Sequence, residues 1–412
     1  MKTNYDAIIV GGGPSGATSA VLLAQAGWKV AVVEKAVFPR RKVCGEFISG
    51  TTWPLLRQLG VAGPLMDIAG PVVRRVGVYS GDRMVTAQLA VPTGSTNDGG
   101  RAVGREHLDT LLLARAAEVG ADVWQPYALA SFVEHGDGYT CNIRDQHTRA
   151  EQALSSRLII AAHGSWEPGP LPTQDFRRPQ RASDLFGFKA HFLNAALPPD
   201  LMPLLAFPGG YGGMVHSDGG RVSLSCCIRR DQLDKCRRRY PQANAGTAVL
   251  AHIKTSCQGA ANALSSATAD GAWLSSGPLH TGIRSFGRGG IFTVGNAAAE
   301  AHPIVAEGIS MAVQSAFLLS EQLNAWRMRG DPALSTPQGE KIRHDYEMAW
   351  RRNFSQRIRF AALYAHLFMR PMTSRMVTGW LERFPRLLTE GARWSGKAEP
   401  LHGARTLDPA RH

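Results

Sequence analysis

Residues 5–10, YDAIIV, form a short apolar run rich in β-branched side chains that stops at a glycine cluster. The pattern then changes period. ATSAVLLAQAG (17–27) is helical in spacing and closes on Gly27, and WKVAVVE (28–34) is strand-like again and ends at Glu34. Short apolar runs bounded by turns read as buried strands, and a longer periodic stretch with a terminal glycine reads as a helix. The order predicts strand, glycine turn, helix, strand, which opens a parallel sheet.

Later segments extend the same sheet. REHLDTLLLARAAEVGADVW (105–124) places Leu108, Leu111, Leu112 and Val119 on one helical face and turns at Gly120 into a strand. RLIIAA (157–162) and GIFTVG (290–295) are further strands, and GISMAVQSAFLLSEQLNAW (308–326) has so few charges that it predicts a buried helix. Residues 72–93 and 184–229 read differently, as short, partly alternating strands with glycine-rich turns: a mostly antiparallel sheet walling a ligand. Residues 335–395 are helical and basic, and 399–412 is expected to be a loose tail.

The fold class is therefore mixed α/β: a Rossmann-like nucleotide-binding domain, an interleaved antiparallel-sheet substrate domain and C-terminal helices. The expected boundaries are 1–70 with 100–170 and 275–330 for the first, 71–99 with 171–274 for the second, 331–398 for the helical region and 399–412 for the tail.

Composition narrows the chemistry. The 412 residues are 44% apolar, enough for a sizeable core. The opening MKTNYDAIIV is not expected to be a signal peptide, and no run approaches the ~18 apolar residues of a membrane span, so a cytoplasmic protein is expected. Six cysteines (44, 141, 226, 227, 236 and 257) show no CxxC, and the histidines show no HExxH, so neither a metal site nor a disulfide framework is expected. The net charge is +13, with basic runs at 228–240 and 349–360. These read as solvated helix faces or as a surface for an anionic partner, whether dinucleotide, acidic protein or lipid. Aromatic residues are too sparse between them for a nucleic-acid platform.

Gly11, Gly13 and Gly16 form G-x-G-x-x-G between a predicted strand and helix, with Pro14 and Ser15 opening the helix. The first glycine permits the turn, the second lets backbone approach a pyrophosphate and the third lets the helix pack on the sheet. Free N–H groups and the helix dipole favour an anion there. Glu34, followed by Lys35, is placed to accept from a ribose diol. Ser15 lacks the flanking glycines of a nucleophile elbow.

VGNAAAEAHPIVAEGISMAVQSA (294–316) resembles the second FAD signature of the p-hydroxybenzoate hydroxylase-type flavoproteins. That group includes aromatic monooxygenases, geranylgeranyl reductases and flavin-dependent halogenases. FPRRKVCGE (38–46) is most similar to the reductase branch, and GREHLDTLLLARAAEVGA (104–121) to the family's R-x-x-L-D helix. The resemblance implies FAD, held by Gly295, Asn296, Ala306, Gly308 and Ile309 in the second signature. It also assigns Arg105 and the segment Arg40, Arg41, Lys42, Cys44 and Gly45 to the cofactor.

Three departures stand out. Asn296 replaces the family's aspartate, Ala306 replaces a glycine, and His163 of HGSWE (163–167) stands where the monooxygenases carry an aspartate that serves FAD and NAD(P)H. The electron source is therefore left between NAD(P)H and a separate flavin reductase partner.

Within the resembling group, monooxygenation of an electron-rich aromatic substrate through a flavin C4a-hydroperoxide is the leading expectation. Glu46, His216, His302 and Pro303 are the catalytic candidates, and Tyr211 and Met214 are candidates for the substrate wall. A geranylgeranyl-reductase-like reduction of a C=C bond is the alternative, with Cys44 beside the substrate. A halogenase is disfavoured because 209–226 lacks the W-x-W-x-I-P motif, and a non-catalytic FAD-binding assembly factor is carried as a further class. Flavoproteins of this fold also modify protein-bound tryptophan in tryptophylquinone biogenesis. The +13 charge suits an acidic polypeptide substrate of that kind better than a small phenol, and the expected partner is an aromatic small molecule or an acidic protein or peptide.

Overall fold

A computed structural model describes residues 3–89, 99–165, 168–174, 179–330, 334, 337–397 and 401. Trp166 and Glu167 of the HGSWE stretch and, Leu401 apart, the expected tail lie outside the described residues.

The strand Thr3–Val10 is the centre of the first sheet. It pairs in parallel with Val30–Val33 on one side and with Glu151–Ala161 on the other. Asp122–Trp124 and Ile291–Thr293 continue the parallel order outward. The hairpin Tyr127–His135 and Gly138–Asp145 adds antiparallel to the near half of Glu151–Ala161. Both faces of the parallel core are covered, so its strands read as unbroken apolar runs.

Helix α1 (Pro14–Gln25) follows the first strand and buries every residue from Pro14 to Val21. Gly11, at φ +110°, has no room for a side chain, because a Cβ would lie 2.5 Å from the Ala162 carbonyl oxygen. A Cβ on Gly16 would lie 1.9 Å from the Gly11 oxygen, so helix and strand touch backbone to backbone.

Helix α2 (Arg105–Glu118) corrects the expected face. Arg105, Leu108, Asp109, Leu112, Leu113 and Ala116 are buried, while Leu111 and Val119 are only half-buried. Two charged residues enter the stripe because Arg105 and Asp109 neutralise each other through two hydrogen bonds of 2.7 and 2.8 Å. Helix α3 (Gly308–Met328) is buried continuously from Ile309 to Ser320, as its lack of charge predicts.

The second sheet runs through Leu185–Leu193, Val222–Arg229, Gly210–His216, Leu201–Phe207, Arg75–Ser80 and Arg83–Gln88. All these neighbours are antiparallel except Leu201–Phe207 with Arg75–Ser80. One face packs Phe188, Leu205, Met214, Leu224 and Cys226 against helices Arg230–Arg239, Ala245–Ser256 and Gln258–Ala263. The other face carries Lys189, His191, Tyr211, Ser223, Ser225 and Cys227, as strand alternation requires. The chain finishes in α4 (Pro337–Phe368), α5 (Pro371–Arg383) and α6 (Arg386–Ala392), followed by a turn at Arg393–Lys397.

Candidate active site

One cavity of about 620 Å³ runs from the glycine turn to the C-terminal helices. Gly11, Gly13, Pro14, Ser15, Glu34, Lys35, Arg40, Lys42, Cys44, Gly45, Glu46 and Arg105 line its near end. Asn296, His302, Pro303, Ala306, Gly308 and Ile309 line its middle, with Tyr211 and Met214 opposite. The candidates from six separate stretches of sequence thus surround a single space.

The near end suits a dinucleotide. Gly13 is the N-cap of α1 and gives no side-chain cap, which leaves the first-turn N–H groups available. A Cβ at Gly13 would meet nothing closer than Arg105, at 3.8 Å, so the space beside it is open. Glu34 ends its strand with Oε2 accepting from the Gly12 N–H and Oε1 from the Ala36 N–H, both at 2.8 Å. Each oxygen keeps a second lone pair for a ribose hydroxyl. Asp109 outweighs the effect of burial on Arg105 and holds its guanidinium charged. The same guanidinium contacts the Cys44 thiol. At the far side of the second signature, α3 also starts without a side-chain cap, its N-terminus directed by Gly308. These features fit FAD: anion-binding backbone at one end and an uncapped helix start at the other.

Four candidates stand off the cavity. Gly16 and Gly295 lie behind its wall, where a Cβ on Gly295 would come within 2.6 Å of the Ser15 hydroxyl. Arg41 turns away to Glu106 at 3.3 Å and Asp270 at 3.8 Å, so it is a surface clamp rather than a phosphate ligand. His216 is also misplaced by the sequence reading, since its Nε2 donates to the Leu197 carbonyl at 2.8 Å. Met214 borders the cavity, but its side chain belongs to the core on the opposite face of the sheet. Both errors share a cause: Tyr211, Gly213 and Val215 face inward, and the residues between them face outward.

Glu46 is fully buried at φ +63°, an uncommon backbone conformation for a side-chain-bearing residue. Its Oε1 accepts from Lys189 and its Oε2 from His191, the latter at 2.9 Å. Burial pushes its pKa up, but the His191 hydrogen bond and the Lys189 charge overcome this and bring it to about 2. A carboxylate held so firmly ionised is a counter-ion, which corrects its assignment as an acid–base group.

His302 is hydrogen-bonded to the Tyr211 hydroxyl through Nδ1 and to Thr281 Oγ1 through Nε2, each at 3.1 Å. Burial and the nearby His366 lower its pKa to about 4, so this ring is neutral near pH 7. Burial holds the Tyr211 phenol well above its ordinary value, and the pair is uncharged. Pro303 opens the short turn beneath them, and Ala306 occupies the left-handed region at φ +53°.

Three further features complete the site. Lys189 and His191 are two residues apart in GFKAHFL, and two basic side chains on one face of a buried strand signal an acidic partner. Glu300 lines the cavity, paired with Arg284 at 3.0 Å, yet burial outweighs Arg284, Ser165 and Lys42 and raises its pKa to about 7. Third, the far wall is built by Tyr364, Leu367, Phe368, Val377, Leu381 and Leu388 from α4 to α6. Lys397 closes that wall, donating to the Val305 carbonyl and to Glu307 at 3.1 Å.

Glu300 gives a pH test. Its native carboxyl keeps the proton up to about pH 7, whereas an unfolded one releases it near 4.5. Stability from this group is therefore highest below the unfolded value and falls by about 3 kcal/mol as pH rises through the native one. Urea unfolding of Glu300→Gln at pH 5 and pH 8 is expected to lack that decline.

The fold and the cavity define an FAD-binding protein. The FAD binding domain family model matches residues 4–336, and the chain belongs to that family. Aklavinone 12-hydroxylase DnrF of Streptomyces peucetius is 31% identical over 40% of this chain and 36% of its own length. Digeranylgeranylglycerophospholipid reductase of Thermoplasma acidophilum is 32% identical over 40% of each protein. These curated relatives are thus matched over well under half of their length. Among solved structures, the myxobacterial chondrochloren halogenase CndH superposes with a TM-score of 0.76 at 20% identity, over 95% of this chain and 91% of the halogenase. At that identity the similarity shows the fold alone.

Proposed function

We propose that this flavoprotein oxygenates an electron-rich aromatic ring on a bulky, largely apolar substrate. The observation that carries this reading is the far compartment of the cavity, where Leu204, Tyr364, Leu367, Phe368, Val377 and Leu381 form an apolar wall beyond the flavin loop. Bound FAD supplies the redox chemistry and the activation of dioxygen. One oxygen atom goes to the ring and the other leaves as water, with two electrons from NAD(P)H or a reductase.

The chain's residues exclude water and hold the ring. Tyr211 keeps its proton and, being tied to neutral His302, offers a fixed polar edge without introducing charge. The hydroxylase name of the Streptomyces relative supports oxygenation. The reductase relatives, with Cys44 on the cavity wall, support C=C reduction as the second reading. Nothing in Gly210–His216 or Val222–Arg229 supplies the tryptophans of a halogenase motif.

The test is turnover with a panel of polycyclic phenols under ¹⁸O₂, read by mass spectrometry. Incorporation of one labelled atom is expected. Tyr211→Phe should retain FAD and raise hydrogen peroxide release per product about tenfold, because buried His302 loses a hydrogen-bond partner at a cost of ~1–3 kcal/mol. Reduction of a C=C bond under anaerobic conditions, with no labelled product, would overturn oxygenation in favour of the reductase.

A further inference from the structure

The outer surface of the C-terminal helices is apolar where a surface helix is ordinarily polar. On α5, Met372, Met376 and Trp380 are 80%, 66% and 65% exposed, and Phe384 just beyond is 51% exposed. Their four-residue spacing aligns them as one ridge along the helix. The buried side of the same helix holds Ser374 and Thr378 beside Leu381. An amphipathic helix normally turns its most apolar arc inward. Here that arc faces out.

The surroundings are basic. From Arg370 to Arg393 the sequence has five arginines against two glutamates, within a chain of net charge +13. One of those glutamates, Glu382, is already paired with Arg83 at 3.0 Å. Arg375 and Arg383 are exposed on the ridge itself.

We propose that this ridge docks the protein on an anionic lipid bilayer, with α5 lying in the plane of the interface. Aromatic and methionine side chains enter the headgroup–acyl boundary while flanking arginines stay with lipid phosphates. A bilayer fits better than a protein partner because the side chains protrude as a ridge, which a fluid surface accepts without a matching groove. A second copy of the chain would bring like charge against like charge. Among the described residues no helix is long and apolar enough to cross a membrane, so the contact is peripheral. The inward sides of these helices, through Val377, Leu381 and Leu388, line the cavity. Docking therefore sets the apolar end of the cavity against the lipid. This inference does not depend on whether the flavin chemistry is oxygenation.

The test is co-sedimentation of the FAD-loaded protein with vesicles of phosphatidylglycerol and phosphatidylcholine, against vesicles of phosphatidylcholine alone. Wild type is expected to pellet with the anionic vesicles and to be released by salt. Met376→Glu with Trp380→Glu should weaken binding by about tenfold or more at unchanged flavin content and thermal unfolding, whereas Trp380→Phe should bind like wild type. The proposal is overturned if wild type ignores anionic vesicles at low ionic strength, or if the double variant binds as wild type does. Failure to bind vesicles together with binding of an acidic helical peptide would assign the ridge to a protein instead.

Discussion

Gly13→Asp is expected to give a folded protein that has lost its flavin. The backbone at Gly13 is extended, at φ −70° and ψ −175°, so any residue can adopt it. A Cβ there meets only the Arg105 guanidinium, at 3.8 Å, and aspartate is among the preferred helix N-caps. The substitution should thus strengthen the start of α1 by a few tenths of a kcal/mol, the difference between aspartate and glycine at an N-cap. It does so by taking up the N–H groups that a pyrophosphate needs and placing a negative charge where the phosphates must sit. A loss of FAD affinity of at least ~100-fold is expected, which is about 3 kcal/mol. Flavin fluorescence titration and circular dichroism check the two halves separately. Gly16→Ala is the contrasting case, because its Cβ has no space against the Gly11 oxygen and should disrupt folding as well. Retention of flavin by a folded Gly13→Asp protein would refute the placement of the cofactor.

Glu46→Ala is expected to destabilise the protein by ~3–5 kcal/mol, since it leaves the buried Lys189 and His191 without the carboxylate that both hydrogen-bond. Glu46→Gln, which keeps shape and two hydrogen-bonding atoms, should fall between the variant and wild type. The pH dependence has a defined sign. With its pKa depressed to about 2, Glu46 contributes fully above the ordinary value of 4.5 and loses that contribution as pH falls towards the native value. Denaturant unfolding at pH 7 and pH 3 measures both effects. A change below ~1 kcal/mol at pH 7 would mean that water reaches the cluster and screens it.

Much of the nucleotide end was legible because local rules determine it. Strand period, glycine spacing and the acid at the end of the second strand are all short-range signals, and each sits on the cavity or immediately behind it. The reading weakened wherever a long-range contact decided the outcome. The face of Gly210–His216 that meets the cavity depends on pairing with Val222–Arg229, and the sequence alone does not separate Tyr211, which faces the cavity, from Met214 and His216, which face away. Arg41 was read with its cationic neighbours, but Glu106 and Asp270, both distant in sequence, draw it away from Arg40 and Lys42. Glu46 looked like an acid until its partners, about 140 residues later, turned it into a counter-ion. The apolar far wall was hidden for a different reason: α4 to α6 carry so many arginines that their inward sides are diluted in any average over the sequence.

That last feature divides the molecule along a seam. The family match ends at residue 336, and every residue that α4, α5 and α6 contribute to the cavity comes after it. The cradle around the glycine turn and the compartment at the opposite end are thus carried by different stretches of one gene product. Changes in residues 337–397 can reshape what the cavity admits without altering a side chain beside the nucleotide. Lys397, reaching back to Val305 and Glu307, is the stitch that joins the two stretches.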